Sequence, residues 1–360
     1  MPAPRTFKLE FQPALDDAKG RKELRDGLST VLQIGRTLWV ANDESASVER
    51  LTVAEGRAAE HVQFPLREVL DLPTEGRKDD TPEIDIEGMD RADGYLWVVG
   101  SHSLKRCKVH AGDPVARSVK RLGRLEAQAN RFLLARIPMQ ERDGLPVLVR
   151  KDKPRRAQRL RGDAQGNDLT RLLRKDKHLA PFIGLPGKEN GFDVEGLAVV
   201  GERLFLGLRG PVLRGWAMVL ELRPVDDGRW LKLDPVDGRK GPRVRKHFLQ
   251  LQGLGVRDLC LQGEDLLLLA GPTMGLDGPV RVLRWRGAAR CEDSCVLEAE
   301  ALEHVLDIPF GRGCDHAEGL ALFRPDGEGD PSLLVVYDSP APRRQVGASS
   351  LKADVFELPA

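Results

Sequence analysis

The sequence predicts an all-β protein, a β-propeller of five repeated four-stranded blades, and three observations support this prediction. Five hairpin-like segments of similar pattern recur along the chain, each with apolar residues on both sides of a turn containing glycine. Matching positions mostly lie about sixty residues apart, since Glu195 to Arg257 is 62 positions and Arg257 to Glu318 is 61. Each hairpin is followed by at least one further strand candidate.

The hairpins are the best-defined part of the repeat. Three of them align without a gap and share a central glycine, at residues 28–41, 194–207 and 256–269. The copies at 86–100 and 317–337 align with one extra turn residue and with a longer turn, respectively. Apolar runs of this length indicate strands that are buried between stacked sheets.

The outer strands of each blade follow from the remaining apolar segments. Third strands are predicted at 47–53, 131–139, 216–224, 280–287 and 351–358, and fourth strands at 61–66, 180–185, 247–252 and 296–302. The last copy has no fourth strand, but residues 6–11 alternate correctly. We therefore expect the N-terminal strand to close the ring against the last blade, because closure removes exposed sheet edges.

Blade two carries an insertion, because Glu87 and Glu195 are 108 positions apart. Residues 102–180 hold 21 basic and 8 acidic residues and predict two helices, one from Asp113-Pro114 to about residue 130 and one from residue 167 or 168 to Lys177. A degenerate sixth blade is an alternative, although the segment has no second glycine-turned hairpin. The segment has few aromatic residues for base stacking, so we expect a solvated helical cover on the body of the protein rather than a nucleic-acid-binding surface. Residues 1–360 are predicted to form one domain.

Charge, apolar runs and cysteine spacing limit the classes of protein to which this chain can belong. The chain has 56 basic and 55 acidic residues, so net charge does not suggest nucleic-acid or membrane binding. No apolar run could span a membrane and the first residues lack a secretory pattern, so a cytoplasmic protein is expected. The five cysteines lack paired spacing and predict neither a disulfide framework nor a zinc site.

The loops that enter the inner strands carry carboxylates. In antiparallel four-stranded blades these loops open on the same face as the loops joining strands two and three, so both sets should converge at one channel mouth. The predicted acidic set is Asp85, Glu87, Asp193, Glu195, Asp315 and Glu318. Gathered oxygen ligands suit calcium or magnesium. The alternative is that Arg257, which replaces Glu in blade four, neutralises the cluster internally; blade one has Ser29 at this position.

Basic residues are expected around the same mouth. The predicted ligand-binding set is His102, Lys105, Arg106, Arg209, Arg214, Arg257, Arg343 and Arg344. Arginine suits bidentate contacts with phosphate or carboxylate, so an anionic ligand is expected. The alternative is that Arg209 and Arg214 pair with neighbouring acids or with strand carbonyls.

Residues 191–222, with 98–106, 315–322 and 335–344, resemble the bacterial family known as domain of unknown function 3616. This resemblance covers most of the chain, is most specific at LRGPVLRG, and implies a propeller-like fold. The Glu-Gly pairs at 87, 195 and 318 are more distantly similar to those of esterase-like phytase and related calcium-bearing propellers. Ser29 and Arg257 depart from that pattern.

Three functions are therefore expected as alternatives. The first is a propeller that binds an anionic small molecule or a protein partner, with a structural calcium. The second is a metal-dependent hydrolase of a phosphoester or lactone, in which His102 or Asp338 serves in acid-base chemistry. The third is a scaffold without activity at the channel face.

Overall fold

A computed structural model describes residues 3–15, 22–74, 76, 82–238, 240–325, 327 and 329–358. The chain begins with strand β1 and then forms the first antiparallel sheet, in the order β2-β3-β4-β5. Their bounds are β1 (Arg5–Glu10), β2 (Leu28–Ile34), β3 (Thr37–Asn42), β4 (Ser47–Ala54) and β5 (Arg57–Pro65).

The second sheet contains two excursions of the chain. This part of the chain forms β6 (Ile86–Ala92), β7 (Tyr95–Gly100), β8 (Lys105–Arg106), β9 (Leu125–Glu126), β10 (Leu134–Arg142), β11 (Leu145–Leu148), β12 (Lys151–Asp152), β13 (Arg155–Arg156), β14 (Gln158–Arg159), β15 (Gly162–Asp163) and β16 (Gly166–Asn167). β14 pairs with β10, whereas β8 with β9, β12 with β13, and β15 with β16 form separate two-stranded sheets. The sheet order is β6-β7-β10-β11. The basic segment, residues 102–180, therefore contains the β10-β11 hairpin and the chain on both sides of it.

The next two sheets follow the repeat more regularly. Their strands are β17 (Asp193–Val200), β18 (Arg203–Gly210), β19 (Trp216–Asp227), β20 (Trp230–Asp234), β21 (Val244–Gln250), β22 (Gly255–Gln262), β23 (Asp265–Gly271), β24 (Val280–Trp285), β25 (Val296–Leu297) and β26 (Glu303–Ile308). The orders are β17-β18-β19-β21 and β22-β23-β24-β26, and β25 pairs in parallel with β21 of the preceding sheet.

The last sheet joins the two ends of the chain. Its strands are β27 (His316–Phe323), β28 (Ser332–Asp338), β29 (Gln345–Val346) and β30 (Ser350–Phe356). β1 pairs antiparallel with β30 along its whole length, as predicted for the N-terminal strand, and also touches β5 of the first sheet in parallel.

Helices are few and short. In the described ranges the α-helices are α1 (Leu66–Val69), α2 (Val115–Leu122) and α3 (Asp168–Leu173), and single 3-10 turns occur at Pro13–Leu15, Leu24–Asp26, Ala129–Phe132, Ala180–Phe182, Gly187–Glu189, Ala288–Arg290, Ala299–Ala301 and Pro342–Arg344. α2 and α3 lie where helices were predicted but are shorter. No helix among the described residues is long and apolar enough to cross a membrane.

Apolar packing arranges the sheets around a central axis. A separate cluster of buried apolar side chains lies between each neighbouring pair of sheets, including the pair formed by the first and last. The inner strands approach closely where glycine follows the repeat glutamate: a Cβ on Gly196 would lie 2.9 Å from the Leu259 backbone nitrogen. An all-β, propeller-like fold is thus confirmed.

Two predicted fourth strands were wrong. Residues 180–185 begin with a 3-10 turn, and β11 is the fourth strand of the second sheet. Residues 296–302 contribute β25 to the third sheet, and β26 completes the fourth. Apolar patterning marks a segment for burial but does not choose between neighbouring candidates for one sheet edge.

Candidate functional site

A β-bulge begins each inner strand and positions one side chain. The residue left out of the pairing register is Ser29 in β2, Glu87 in β6, Glu195 in β17, Arg257 in β22 and Glu318 in β27. These are the five positions that the repeat aligns in sequence. Bulges turn a side chain away from the pleat and are common beside binding sites.

Four of these bulges open into one cavity of about 660 Å³. Among the predicted site residues, those lining it are Asp85, Glu87, Asp193, Glu195, Glu318, Lys105, Arg106, Arg209, Arg257 and Asp338. The two sets of loops predicted to converge therefore do so. Ser29, at the fifth bulge, is not part of the cavity lining. Its hydroxyl donates to the carbonyls of Ala41, at 3.3 Å, and Ile86.

Arg257 bridges two of the bulge glutamates. Its Nε lies 2.9 Å from Glu195 Oε2, and its other end contacts Glu318. Arg209 adds a second bond to Glu195, at 2.7 Å, and donates to the Thr273 carbonyl at 2.9 Å. This geometry matches the alternative in which arginine neutralises part of the acidic cluster.

Asp85 has a different cationic partner. The Arg131 guanidinium contacts its carboxylate and also donates to Ser103 Oγ at 2.9 Å. Both charged side chains are buried. Arg131 lies just before β10 and was not among the predicted site residues.

A lysine near the N-terminus holds two more carboxylates. Lys22 Nζ contacts Asp338 and lies 3.3 Å from Asp43 Oδ2. The Lys22 ammonium lowers the pKa of Asp338 against the opposing effect of burial, whereas burial raises the pKa of Asp43 to about 7. Lys22 precedes the repeat, so the hairpin pattern carried no signal for it.

Glu87 and Asp193 are the acids left without a cation. Both line the cavity, with 8% and 5% of their surfaces exposed, and neither has an ion pair with any described residue. Burial, reinforced by Asp85, Glu195, Glu318 and Asp193, raises the pKa of Glu87 well above its usual value. Burial and the Glu195 charge raise the pKa of Asp193 to about 7.

Stability should therefore fall as pH rises in chelator-treated protein. The pKa of Asp193 is raised to about 7 and that of Glu318, mainly by burial, to about 8, so the native state binds more protons than the unfolded state from about pH 5 to 8. We expect the free energy of unfolding to decrease across this range by up to about 1.4 kcal/mol per pH unit for each carboxyl. Urea unfolding at each pH measures this slope.

The Asp193→Asn variant provides the control for this pH dependence. It removes one titrating group and keeps the side-chain volume, so its stability should vary less between pH 5 and 8. A native protein whose stability rises over this range would contradict the argument.

Asp315, Arg343 and Arg344 form a separate network outside the cavity lining. Asp315 is fully buried, accepts from Arg344 Nε at 2.8 Å and from the Ala341 backbone N–H at 2.7 Å, and contacts Arg343. Arg344 also pairs with Asp354, to which the Tyr337 hydroxyl donates at 2.7 Å. These contacts assign Asp315 to loop structure, in contrast to its predicted role as a metal ligand.

His102 and Arg214 also lie away from the cavity lining. His102 is buried, with Nδ1 at 2.7 Å from the Gly100 carbonyl and Nε2 at 2.7 Å from Asn167 Nδ2, and burial lowers its pKa to about 4. It therefore anchors the residue that caps α3. Arg214 is exposed on a turn. The catalytic and ligand roles predicted for His102 have no geometric support.

The fold and the site together define a class: a propeller-like protein with a charged, ligand-sized cavity at one mouth of its central channel. Within that class the chain belongs to the family described as protein of unknown function DUF3616, whose model matches residues 27–354. No curated protein matches the chain.

Three solved structures are similar in shape. Glutaminyl cyclase from Myxococcus xanthus is 9% identical, with a TM-score of 0.41 over 99% of this chain and 100% of that one. The PQQ-bound aldose sugar dehydrogenase from Streptomyces coelicolor is 12% identical, with a TM-score of 0.37 and complete coverage of both chains. The Cps50 β-propeller domain from Myceliophteria thermophila is 10% identical, with a TM-score of 0.33 over 93% of this chain and 99% of that one.

Proposed function

We propose that this protein is a five-bladed propeller that binds a small anionic ligand in the cavity through a divalent cation, calcium or magnesium. The observation that carries the proposal is Glu87, a buried carboxyl that faces the cavity and forms no ion pair with any cation in the part of the chain that the structure describes. Asp193 shares this property on the neighbouring inner strand.

The charge balance of the cavity lining supports a bound cation. Among the described residues, ten carboxyls and eight lysine or arginine side chains line the cavity, which leaves an excess of two carboxyls. The carboxyls are Asp43, Glu44, Asp85, Glu87, Glu189, Asp193, Glu195, Asp277, Glu318 and Asp338, and the cations are Lys22, Lys105, Arg106, Lys108, Arg131, Lys188, Arg209 and Arg257. An uncompensated buried charge is costly, so this excess must take up protons or a cation. Carboxylate oxygens favour hard cations over zinc or copper.

The spacing of the carboxylates supports a cation that is held by two carboxylates together with water and ligand oxygens, and not one that is surrounded by protein ligands alone. Among the described residues, no three acidic side chains of the cavity bring their oxygens within 4.8 Å of one another. A cation on Glu87 and Asp193 would complete its shell with water and ligand oxygens, which is the usual arrangement of magnesium on one or two carboxylates.

Basic residues at the rim support an anionic ligand. Lys108 and Lys188 line the cavity, are exposed, and have no ion pair with any described residue. Lys105 forms an ion pair with Glu83, and Arg106 forms one with Glu189. An anion bound near the rim would thus meet lysine on one side and the cation on the other.

The test is the thermal unfolding midpoint of chelator-treated protein titrated with calcium, magnesium and manganese. A cation that binds only the native state stabilises it by about 2.7 kcal/mol at one hundred times Kd. We expect a saturable rise that is larger at pH 8 than at pH 6, because protons compete for Glu87 and Asp193. The Glu87→Gln variant should lose this rise.

The matched control is Glu202→Gln, because the Glu202 side chain is 75% exposed and lies outside the cavity lining. Its response to cations should equal that of the unmodified protein. No rise with any of the three cations would refute the cation site and leave the scaffold alternative.

Metal-dependent hydrolysis of a phosphoester or lactone is the second candidate function. The observation that favours it is that carboxyls of opposite protonation state share the cavity, since the pKa of Glu318 is raised to about 8, chiefly by burial, while that of Asp338 is lowered through Lys22 despite burial. Such a split provides both an acid and a base near neutral pH. Turnover of model phosphoesters or lactones, lost in Glu87→Gln, would favour hydrolysis over binding alone.

A further inference from the structure

A second cluster of ligand atoms lies outside the cavity, at the outer edge of the third sheet. The donor atoms of His247, Cys291 and Cys295 all lie within 4.8 Å of one another. His247 belongs to β21, and the two cysteines lie in the connection between β24 and β26 that crosses over this edge. Neither the cysteine spacing nor the repeat predicted this cluster.

The histidine ring is fixed in the orientation that a metal ligand requires. His247 is fully buried, with its ring centroid 5.8 Å from that of Phe205 and 5.0 Å from that of Trp285. The Cys295 backbone N–H donates to Nδ1 at 3.2 Å, so Nδ1 presents its lone pair to the cysteine loop.

The opposite ring nitrogen is held by a carboxylate. Nε2 lies 3.0 Å from Glu221 Oε2, and because Nδ1 accepts, the proton of the neutral ring lies on Nε2 and is donated to Glu221. Arg203 and Arg245 each donate to Glu221 at 2.7 Å, which keeps this buried carboxylate charged. Metal-ligating histidines characteristically donate their second N–H to such a carboxylate.

The two cysteines approach each other closely. The structure joins them as a disulfide, although their Cα atoms are 7.5 Å apart. The prediction from cysteine spacing that no disulfide forms was therefore wrong, because the loop between the two residues turns back and brings the sulfurs together. Disulfides usually span Cα distances of about 4.4–6.8 Å. A metal ion between the sulfurs bridges a wider separation than a direct bond, so the backbone spacing favours metal over disulfide.

We propose that Cys291 and Cys295, in their reduced form, bind a zinc ion together with Nδ1 of His247. Thiolate and imidazole ligands select zinc over the hard cations proposed for the cavity. On binding, each thiol releases its proton to solvent, and the Cys295 N–H gives up its bond to Nδ1. A water molecule takes the fourth tetrahedral position, since the residues between the cysteines are exposed.

The ion would fasten two sheets together. The Cys295 carbonyl accepts from the Phe248 N–H at 2.8 Å, and β25 continues this contact along β21. Arg203 also donates to the Cys291 carbonyl at 3.1 Å. Zinc would therefore hold a connection of the fourth sheet against the outer edge of the third.

Cobalt substitution tests the proposal directly. Full-length protein is reduced, freed of metal and titrated with Co²⁺, and we expect one equivalent to produce the thiolate-to-cobalt absorption and the visible bands of a tetrahedral site. One equivalent of Zn²⁺ should displace the cobalt and raise the unfolding midpoint. The Cys291→Ser variant should lose the thiolate absorption or weaken Co²⁺ binding at least tenfold.

Cys314→Ser is the matched control, because Cys314 is a free, partly exposed cysteine elsewhere in the chain. It should bind Co²⁺ as the unmodified protein does. Circular dichroism establishes that each variant is folded before titration. A fully reduced protein without thiolate absorption, or a Cys291→Ser variant that keeps both the absorption and the Co²⁺ affinity of the unmodified protein, would overturn the proposal, as would a disulfide that persists under reductant.

Discussion

Replacing Arg257 with methionine is expected to reduce the free energy of unfolding by about 3–5 kcal/mol, because it leaves buried carboxylates without their shared cation. Arg257 reaches Glu195 at 2.9 Å and also contacts Glu318, whose pKa is already raised to about 8, chiefly by burial. Without the guanidinium both acids repel each other and Glu87. Urea unfolding at pH 7.5 measures the loss.

The loss from Arg257→Met should shrink at pH 5, where Glu318, whose pKa burial raises to about 8, is protonated and no longer needs a cation. Arg257→Lys keeps the charge but cannot span both acids with one planar group, so an intermediate loss is expected. Arg214→Ala, at an exposed turn, should change stability little. An equal loss at pH 5 and 7.5 would show that packing, not charge, explains the effect.

Replacing Asp315 with alanine is expected to cost a similar 3–5 kcal/mol, for a reason unrelated to metal binding. Asp315 is fully buried, accepts hydrogen bonds from Arg344 and the Ala341 backbone N–H, and contacts Arg343. Removing its carboxylate leaves the buried Arg344 Nε and the Ala341 N–H without their acceptor. Thermal and urea unfolding measure this loss.

Asp315→Asn retains an acceptor for the backbone N–H and should lose less than Asp315→Ala. Asp307→Asn is a suitable surface control, because the Asp307 side chain is 66% exposed. The response of Asp315→Asn to calcium or magnesium should match that of the unmodified protein. A loss of that response would instead indicate that Asp315 is a metal ligand.

The two proposed metal sites differ in ligand chemistry and can be tested independently. Glu87 and Asp193 offer oxygen at the channel mouth, whereas His247 and the cysteine pair offer nitrogen and sulfur at a sheet edge. Glu87→Gln should leave Co²⁺–thiolate absorption unchanged, and Cys291→Ser should leave the calcium or magnesium response unchanged.

Local sequence patterning was enough to predict the repeated hairpins, the closing N-terminal strand and the convergence of Glu87, Glu195, Arg257 and Glu318. These follow from local patterning, because each blade repeats one antiparallel order and so places equivalent residues at equivalent points around the channel. The aligned register even marks the bulged positions, although it does not indicate that they are bulges.

The pairing of charged side chains in the cavity could not be predicted from the sequence and is seen in the folded chain. Arg131 reaches Asp85 from an insertion, Lys22 reaches Asp338 across 316 positions of chain, and His102 turns away from the cavity toward Asn167. Such partners are selected by packing between distant segments, and a repeat pattern carries no information on them. For the same reason the sequence could not show that Glu87, on which the proposed function depends, forms no ion pair with the cations of the described ranges.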